Sequence, residues 1–235
     1  MNTTNQKTLI FENIDTLVDI VIPENIHTII VRNSPELIEL TYEHNFCNVR
    51  TIILENLPKI SDVSVLKNVN TIIMKNMFNI KELPSELGNA HSLYLDNLPN
   101  IKELPSELGN VHTITLRNLP KIKELPSELG NVHSLYLYNL PNIKELSSEL
   151  GNVHTLSLWN LRNLKELPSE LGNVHKLVLT DLLNLKELPS ELGNVQILEL
   201  HSLRNLKELP SELSNVHKLL VYNLPKCKRI TIKSI

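Results

Sequence analysis

Hydrophobic and polar positions in this chain follow a cycle of about 21 residues rather than the short period of one helix or strand. The unit Val111–Asn131 reads V-H-T-I-T-L-R-N-L-P-K-I-K-E-L-P-S-E-L-G-N, and its positions are numbered as places 1 to 21. Place 1 recurs at Gln6, Ile26, Val49, Val69, Ala90, Val111, Val132, Val153, Val174, Val195 and Val216. This gives eleven units of 20, 23, 20 and then 21 residues, the last one incomplete. Places 4 and 6 are apolar in every unit, as in Leu93 and Leu95 or Ile114 and Leu116. That alternation predicts one short strand per unit with one buried face. Places 9, 12, 15 and 19 are mostly apolar again, as in Leu98, Ile101, Leu104 and Leu108, and close each coil around the same core.

Place 8 continues the inward alternation but is polar: asparagine in nine units, Asp181 and Ser202 in the other two. A buried polar side chain must find a partner. The expectation is an asparagine ladder in which each amide bonds neighbouring turn backbones. The return path holds only Pro-Ser-Glu-Leu-Gly-Asn in most units, too short for much helix, and predicts an extended run or a single 3₁₀ turn. With both sides of each coil thin, curvature should be modest. One unit cannot bury its apolar stripe alone, so stability is a sum over stacked neighbours. At ~4.8 Å per strand the sheet should be roughly 50 Å long.

These residues carry a family resemblance. The pattern L-x-x-L-x-L…N…L-x-x-L-P-x-x-L-G-N resembles the leucine-rich repeat across essentially the whole chain. It departs from the usual form in one place, since Asn97 follows Leu95 by two residues rather than three. The resemblance implies a solenoid with one parallel sheet and extended or 3₁₀ segments on the opposite side. The wording L-G-N-V-H-T-L, in an Asn- and Ile-rich background, is also similar to repeat proteins of large DNA viruses of amoebae. K-E-L-P-S-E-L is similar to bacterial effector repeats. The expected organisation is one solenoid over 1–235, with 1–25 a degenerate first unit and cap, 26–215 the repeats, and 216–235 the last unit and C-terminal cap.

Composition sharpens this picture. All six glycines occupy place 20, where freedom to adopt positive φ is the expected reason. Of thirteen prolines, six lie at place 10 and six at place 16, and only Pro23 falls off the pattern. A net charge of −3 argues against a general nucleic-acid or anionic-membrane binder. No apolar run reaches the eighteen or so residues of a membrane span, and the first residues lack the features of a secretory signal. The sequon Asn2-Thr3-Thr4 sits at the terminus and carries little weight. Cys47 and Cys227 fall about eight units apart, too far to be bridged, and free thiols suit a reducing compartment. An intracellular setting is the expectation.

Places 3, 5 and 7 point to solvent. Place 3 is mostly Thr or Ser, good strand formers. Four of the five tyrosines and the only Trp lie at places 5 and 7: Tyr94, Tyr136, Tyr138, Trp159 and Tyr222. Clustered exposed aromatics with Asp96, Arg117 and His201 nearby have the composition of a protein-binding surface. The alternative is that they stabilise the sheet as cross-strand neighbours. Ile10, Ile30, Ile53 and Ile73 fill place 5 in the first four units. Two readings fit that stripe, a partner or dimer surface and simple strand preference. His91, His112, His133, His154 and His175 fill place 2 in consecutive units, with His27 and His217 farther out. They predict a row of rings about 5 Å apart whose protonation below about pH 6 would be mutually unfavourable. Rows of Lys at place 13 and Glu at places 14 and 18 read as a solvated outer face.

There is no P-loop, G-x-S-x-G, H-E-x-x-H or metal-spaced cysteine pair. No catalytic residue, cofactor or metal is expected. The sequence therefore predicts a non-catalytic protein-interaction module using Tyr94, Asp96, Arg117, Tyr136, Tyr138, Trp159 and His201. A structural or assembly role, with homo-association through the solenoid ends or the isoleucine stripe, is the alternative. The basic, alternating Arg229-Ile230-Thr231-Ile232-Lys233 would add a strand that blunts the C-terminal edge.

Overall fold

A computed structural model describes residues 7–18, 20–40 and 48–227. Cys47 and the expected strand at Arg229–Lys233 lie outside them. The described chain forms one open sheet of eleven parallel strands in sequential order. They are β1 (Lys7–Glu12), β2 (Ile26–Arg32), β3 (Thr51–Glu55), β4 (Thr71–Lys75), β5 (Ser92–Asp96), β6 (Thr113–Arg117), β7 (Ser134–Tyr138), β8 (Thr155–Trp159), β9 (Lys176–Thr180), β10 (Ile197–His201) and β11 (Lys218–Tyr222). This is the solenoid that the repeat pattern predicts.

Register is strictly in phase from β2 onward, so each place of the repeat becomes a column across the sheet. Leu93 pairs with Ile114, Ile114 with Leu135, and Leu135 with Leu156. Register is fixed by the alternation, because a slip of one residue would turn the buried column out to water. Places 4 and 6 are buried from β2 to β10, and so are the columns behind them. Leu98, Leu119, Leu140, Leu161, Leu182 and Leu203 at place 9 are fully buried, as are the residues of the place 12 column from Ile60 to Leu206. Burying each such side chain is worth about 1.5–3 kcal/mol against leaving it exposed.

Each strand ends at place 8, and here the structure revises the expectation. All eleven place 8 residues, from Asn13 to Asn223, have φ between 51° and 58°. This left-handed turn swings the chain off the sheet, and Asn is the side chain other than Gly that tolerates it best. The side chains are partly buried, or exposed at Asn13 and Asn223, and they bond one another rather than turn backbones. Asn56 Nδ2 donates to Asn33 Oδ1 at 2.6 Å, Asn76 to Asn56 at 2.8 Å, and Asn97 to Asn76 at 2.7 Å. The row resumes from Asn139 to Asn118 and from Asn160 to Asn139, at 2.7 and 3.1 Å. Backbone bonding of the expected kind belongs to a second row, at place 11. There Asn100, Asn142, Asn163, Asn184 and Asn205 donate to carbonyls of the preceding coil at 2.5–2.7 Å.

The return path contains a 3₁₀ turn at Ser-Glu-Leu-Gly-Asn, from Ser85–Asn89 to Ser211–Asn215, with an earlier one at Ser64–Leu66. The residue before each later turn is extended, and in all but one it is a Pro. The leucine of each turn faces the core. The glycines are a correction: none has positive φ. They are required by close approach instead, since a Cβ at Gly130 would lie 2.3 Å from the Glu149 backbone oxygen of the next coil. In the tenth unit Ser214 stands at this place and is exposed.

Gly130→Ala should therefore force two coils apart at a cost of ~1–3 kcal/mol, as overpacking does. Thermal unfolding should show a lower midpoint for Gly130→Ala and an unchanged one for Ser214→Ala. Equal midpoints would remove close approach as the reason for glycine.

Candidate binding face

The solvent face of the sheet is built by the outward places of each strand, and its place 7 column has a definite order. From β1 to β6 it reads Glu12, Arg32, Glu55, Lys75, Asp96, Arg117, so opposite charges face one another across every pair. From β7 it becomes Tyr138, Trp159, Thr180, His201, Tyr222. Arg32 reaches Glu12 at 3.0 Å, and Arg117 Nε lies 3.8 Å from Asp96 Oδ2. Lys75 Nζ sits 5.6 Å from the centre of the Tyr94 ring.

Where the column changes from charges to rings, the sheet carries a trough of ≈ 690 Å³. It is lined by Tyr94, Thr115, Arg117, Tyr136, Tyr138 and Trp159, with Asn118, Asn139 and Asn160 of the place 8 row along one side. Thr115 at place 5 is the small residue between Tyr94 and Tyr136, which leaves the depression between their rings. Tyr138 and Trp159 meet edge to face with ring centres 5.6 Å apart. Trp159 keeps 47% of its surface exposed. An exposed ring of this size costs solvation that burial against a partner would recover.

Asp96 is no part of the lining but braces it. Its Oδ2 accepts from the Tyr94 hydroxyl at 3.2 Å, and its Oδ1 accepts from Asn118 Nδ2 at 2.7 Å, which also diverts the asparagine row at that point. His201 is placed elsewhere, two strands beyond Trp159. It stacks on Tyr222 at 4.8 Å and lies 3.5 Å from Glu199, which also takes Lys176 at 2.9 Å. The Lys176 ammonium, more than the histidine, holds the Glu199 carboxyl below its ordinary range. Of the seven sequence-predicted residues, Tyr94, Arg117, Tyr136, Tyr138 and Trp159 line one trough, Asp96 supports it, and His201 belongs to a separate group. Thr115 and the amides escaped the sequence reading, although a small residue between two tyrosines one repeat apart was visible there.

Ile30, Ile53 and Ile73 are half-buried and Ile10 is 50% exposed, in a stripe that pairs directly with Tyr94 through Ile73. On the outer face, none of the Lys81–Lys207 and Glu82–Glu208 rows forms an ion pair within 4.0 Å among the described residues. Most Glu at place 18 instead accept from the preceding serine hydroxyl at 3.1–3.3 Å. Opposing charges in these two rows offset one another through solvent rather than by contact.

The histidine row forms a continuous stack. Rings of His91, His112, His133, His154 and His175 lie 4.5–4.7 Å apart with interplanar angles of 7–20°. Desolvation by the flanking rings, and then their charge, holds His112 and His154 below the ordinary imidazole range. Among the described residues no group of three or more His, Cys, Asp or Glu is arranged to hold a metal ion. No helix there is long and apolar enough to cross a membrane.

A base whose pKa is depressed on folding binds fewer protons folded than unfolded. Stability is then full above the unfolded pKa of about 6.5 and falls as the pH drops below it. The melting temperature should decline from pH 7.5 to pH 5, and a His112→Gln/His133→Gln/His154→Gln variant should show a flatter profile. The lowered carboxyls of Glu12, Glu149 and Glu199 lose their contribution only at more acid pH, so they do not confound this window. A wild-type melting temperature as high at pH 5 as at pH 7.5 would refute the effect.

No protein-family model matches the chain, and a search of curated proteins finds no match. Solved structures do resemble it. The leucine-rich-repeat domain of the type III effector XopL is 19% identical, covering 92% of this chain and 76% of its own, with a TM-score of 0.60. The functional domain of InlJ from Listeria monocytogenes, which includes a cysteine ladder, is 18% identical over 86% of this chain and 48% of its own, with a TM-score of 0.61. The Toll–Spätzle complex of Drosophila gives a TM-score of 0.53 at 16% identity, covering 86% of this chain and 36% of that one. At these identities the likeness establishes the fold, a leucine-rich-repeat solenoid, and nothing finer.

Proposed function

We propose that this chain is a non-catalytic protein-interaction module that receives its partner on the exposed face of the sheet, centred on Tyr136, Tyr138 and Trp159. The observation that carries this reading is the position of the trough. It lies where the self-compensating charge column stops and unpartnered aromatic surface begins. A rigid preformed surface of this kind costs a partner little ordering entropy. The likeness to the leucine-rich-repeat part of the Toll–Spätzle complex is consistent with it. Cys227 is a free thiol, the state that a reducing, intracellular setting maintains. A host cell infected by a large DNA virus is the setting that the repeat wording suggests.

A structural or assembly role is the second reading. Ile10 on the first strand and Val221 and Tyr222 on the last described strand are all exposed, which supplies apolar surface at both ends. Domain limits of 1–25, 26–215 and 216–235 remain part of the proposal, with the outer segments as caps.

A Tyr138→Ala/Trp159→Ala variant separates the two. Affinity capture from the native host, quantified by mass spectrometry, should lose the specific partner at least tenfold, with the melting temperature within a few degrees of wild type. Undiminished capture by the variant would reject the module reading. Concentration-dependent self-association in sedimentation velocity that survives the double substitution would favour assembly.

A further inference from the structure

Resting on the reading above, the geometry points to a partner of particular chemistry, and we propose that Arg117 receives the side-chain carboxylate of an Asp or Glu. That residue would lie in an extended segment whose apolar or aromatic neighbour fills the trough between Tyr136, Tyr138 and Trp159.

The argument begins with the charge column. Arg32, Glu55, Lys75 and Asp96 each face opposite charges on both flanking strands. Arg117 faces Asp96 on one side and Tyr138 on the other, so its charge is compensated from one side only. Asp96 engages it only weakly. That carboxylate already accepts from Tyr94 and Asn118, and touches Arg117 only through Nε at 3.8 Å. The terminal guanidinium nitrogens have no hydrogen-bond or ion-pair partner among the described residues, and 54% of the side chain is exposed. A planar donor pair of this kind fits a carboxylate with two parallel bonds.

Three features select the occupant. Arg117 ends the alternating column, so the charge nearest the trough is positive and favours an anion. One available guanidinium edge next to Asp96 matches a singly charged carboxylate and disfavours a dianionic phosphate. The apolar and aromatic surface continues on both sides, through Ile73 and Tyr94 in one direction and through Trp159 and Val178 in the other. A segment that passes through uses both sides, whereas a chain terminus would use one. The occupant is therefore an acidic side chain within a continuing segment.

The test is selection from a random-peptide display library on the full chain, followed by fluorescence anisotropy with the selected peptides. Selected sequences should carry Asp or Glu at a fixed distance from Leu, Phe, Tyr or Trp and require Trp159. Replacing that acid by its amide should weaken binding to wild type about ten- to a hundredfold, the size of a charge-assisted bond. The same replacement should change binding to Arg117→Gln less than threefold. Arg117 is half exposed, and an unchanged melting curve will show that the variant folds. Trp159-dependent peptides without an acid preference, or with one that persists in Arg117→Gln, would overturn the carboxylate assignment and leave the trough as a binding site. Absence of any Trp159-dependent peptide would overturn the inference as a whole, while the double-aromatic capture experiment decides the broader reading separately.

Discussion

The left-handed turn at place 8 is the constraint from which the rest of the molecule follows. Every strand must stop after five to seven residues and leave the sheet in the same direction, or successive coils cannot superimpose. The turn achieves this with a backbone conformation costing roughly 1–2 kcal/mol for most side chains, and asparagine offsets the cost twice. Its main-chain N–H bonds the strand-end carbonyl of the next coil, as Asn139 does to Trp159 at 2.9 Å. Its amide bonds the equivalent side chain of the coil before. Because the turn is repeated at nearly constant φ, every other place inherits a fixed neighbour one unit away. The stacked leucines, the parallel imidazoles and the alternating charges are all consequences of that one translation.

The same translation explains why the molecule divides into an inert part and an available part. In the first five strands the outward charges compensate one another within the array, and little is left to attract a ligand. Where Tyr138 and Trp159 replace ions, the array no longer satisfies its own surface. On the outer face serine–glutamate contacts and amide-to-carbonyl bonds engage part of the polar surface, while the Lys and Glu rows face solvent. On the sheet face the chemistry available to a partner is thus concentrated on a few strands, although the units there are almost identical in their buried residues.

Much of this was legible in the sequence, for a physical reason. Alternation at places 3 to 7 reports strand and face directly, and a repeat fixes neighbours that an ordinary globular sequence leaves open. Hence Leu93, Leu95 and Leu98 could be assigned to the core, and the histidine spacing anticipated. Three features were not legible. The glycines look like turn formers, yet their role is contact with a carbonyl about twenty residues away, which no local pattern encodes. The place 11 asparagines share their row with Lys59, Lys121 and Lys226 and resemble ordinary surface. Asp96 looked like part of a binding patch because composition cannot tell a residue that lines a depression from one that holds its walls. His201 was grouped with the aromatics by type, whereas distance across the sheet assigns it to Tyr222 and Glu199.

The alternating column also sets a rule of parity on how such an array can lengthen. Insertion of a single unit with a charge at place 7 anywhere between Glu12 and Arg117 would bring two like charges face to face, since the signs alternate at every step. Insertion of two units preserves the order. Beyond Tyr138 no such rule operates, because rings and hydroxyls have no sign to conserve. Charged units added to the N-terminal half therefore keep the alternation only in pairs, while the half that bears the trough can gain or lose units singly and so vary the breadth of its aromatic surface.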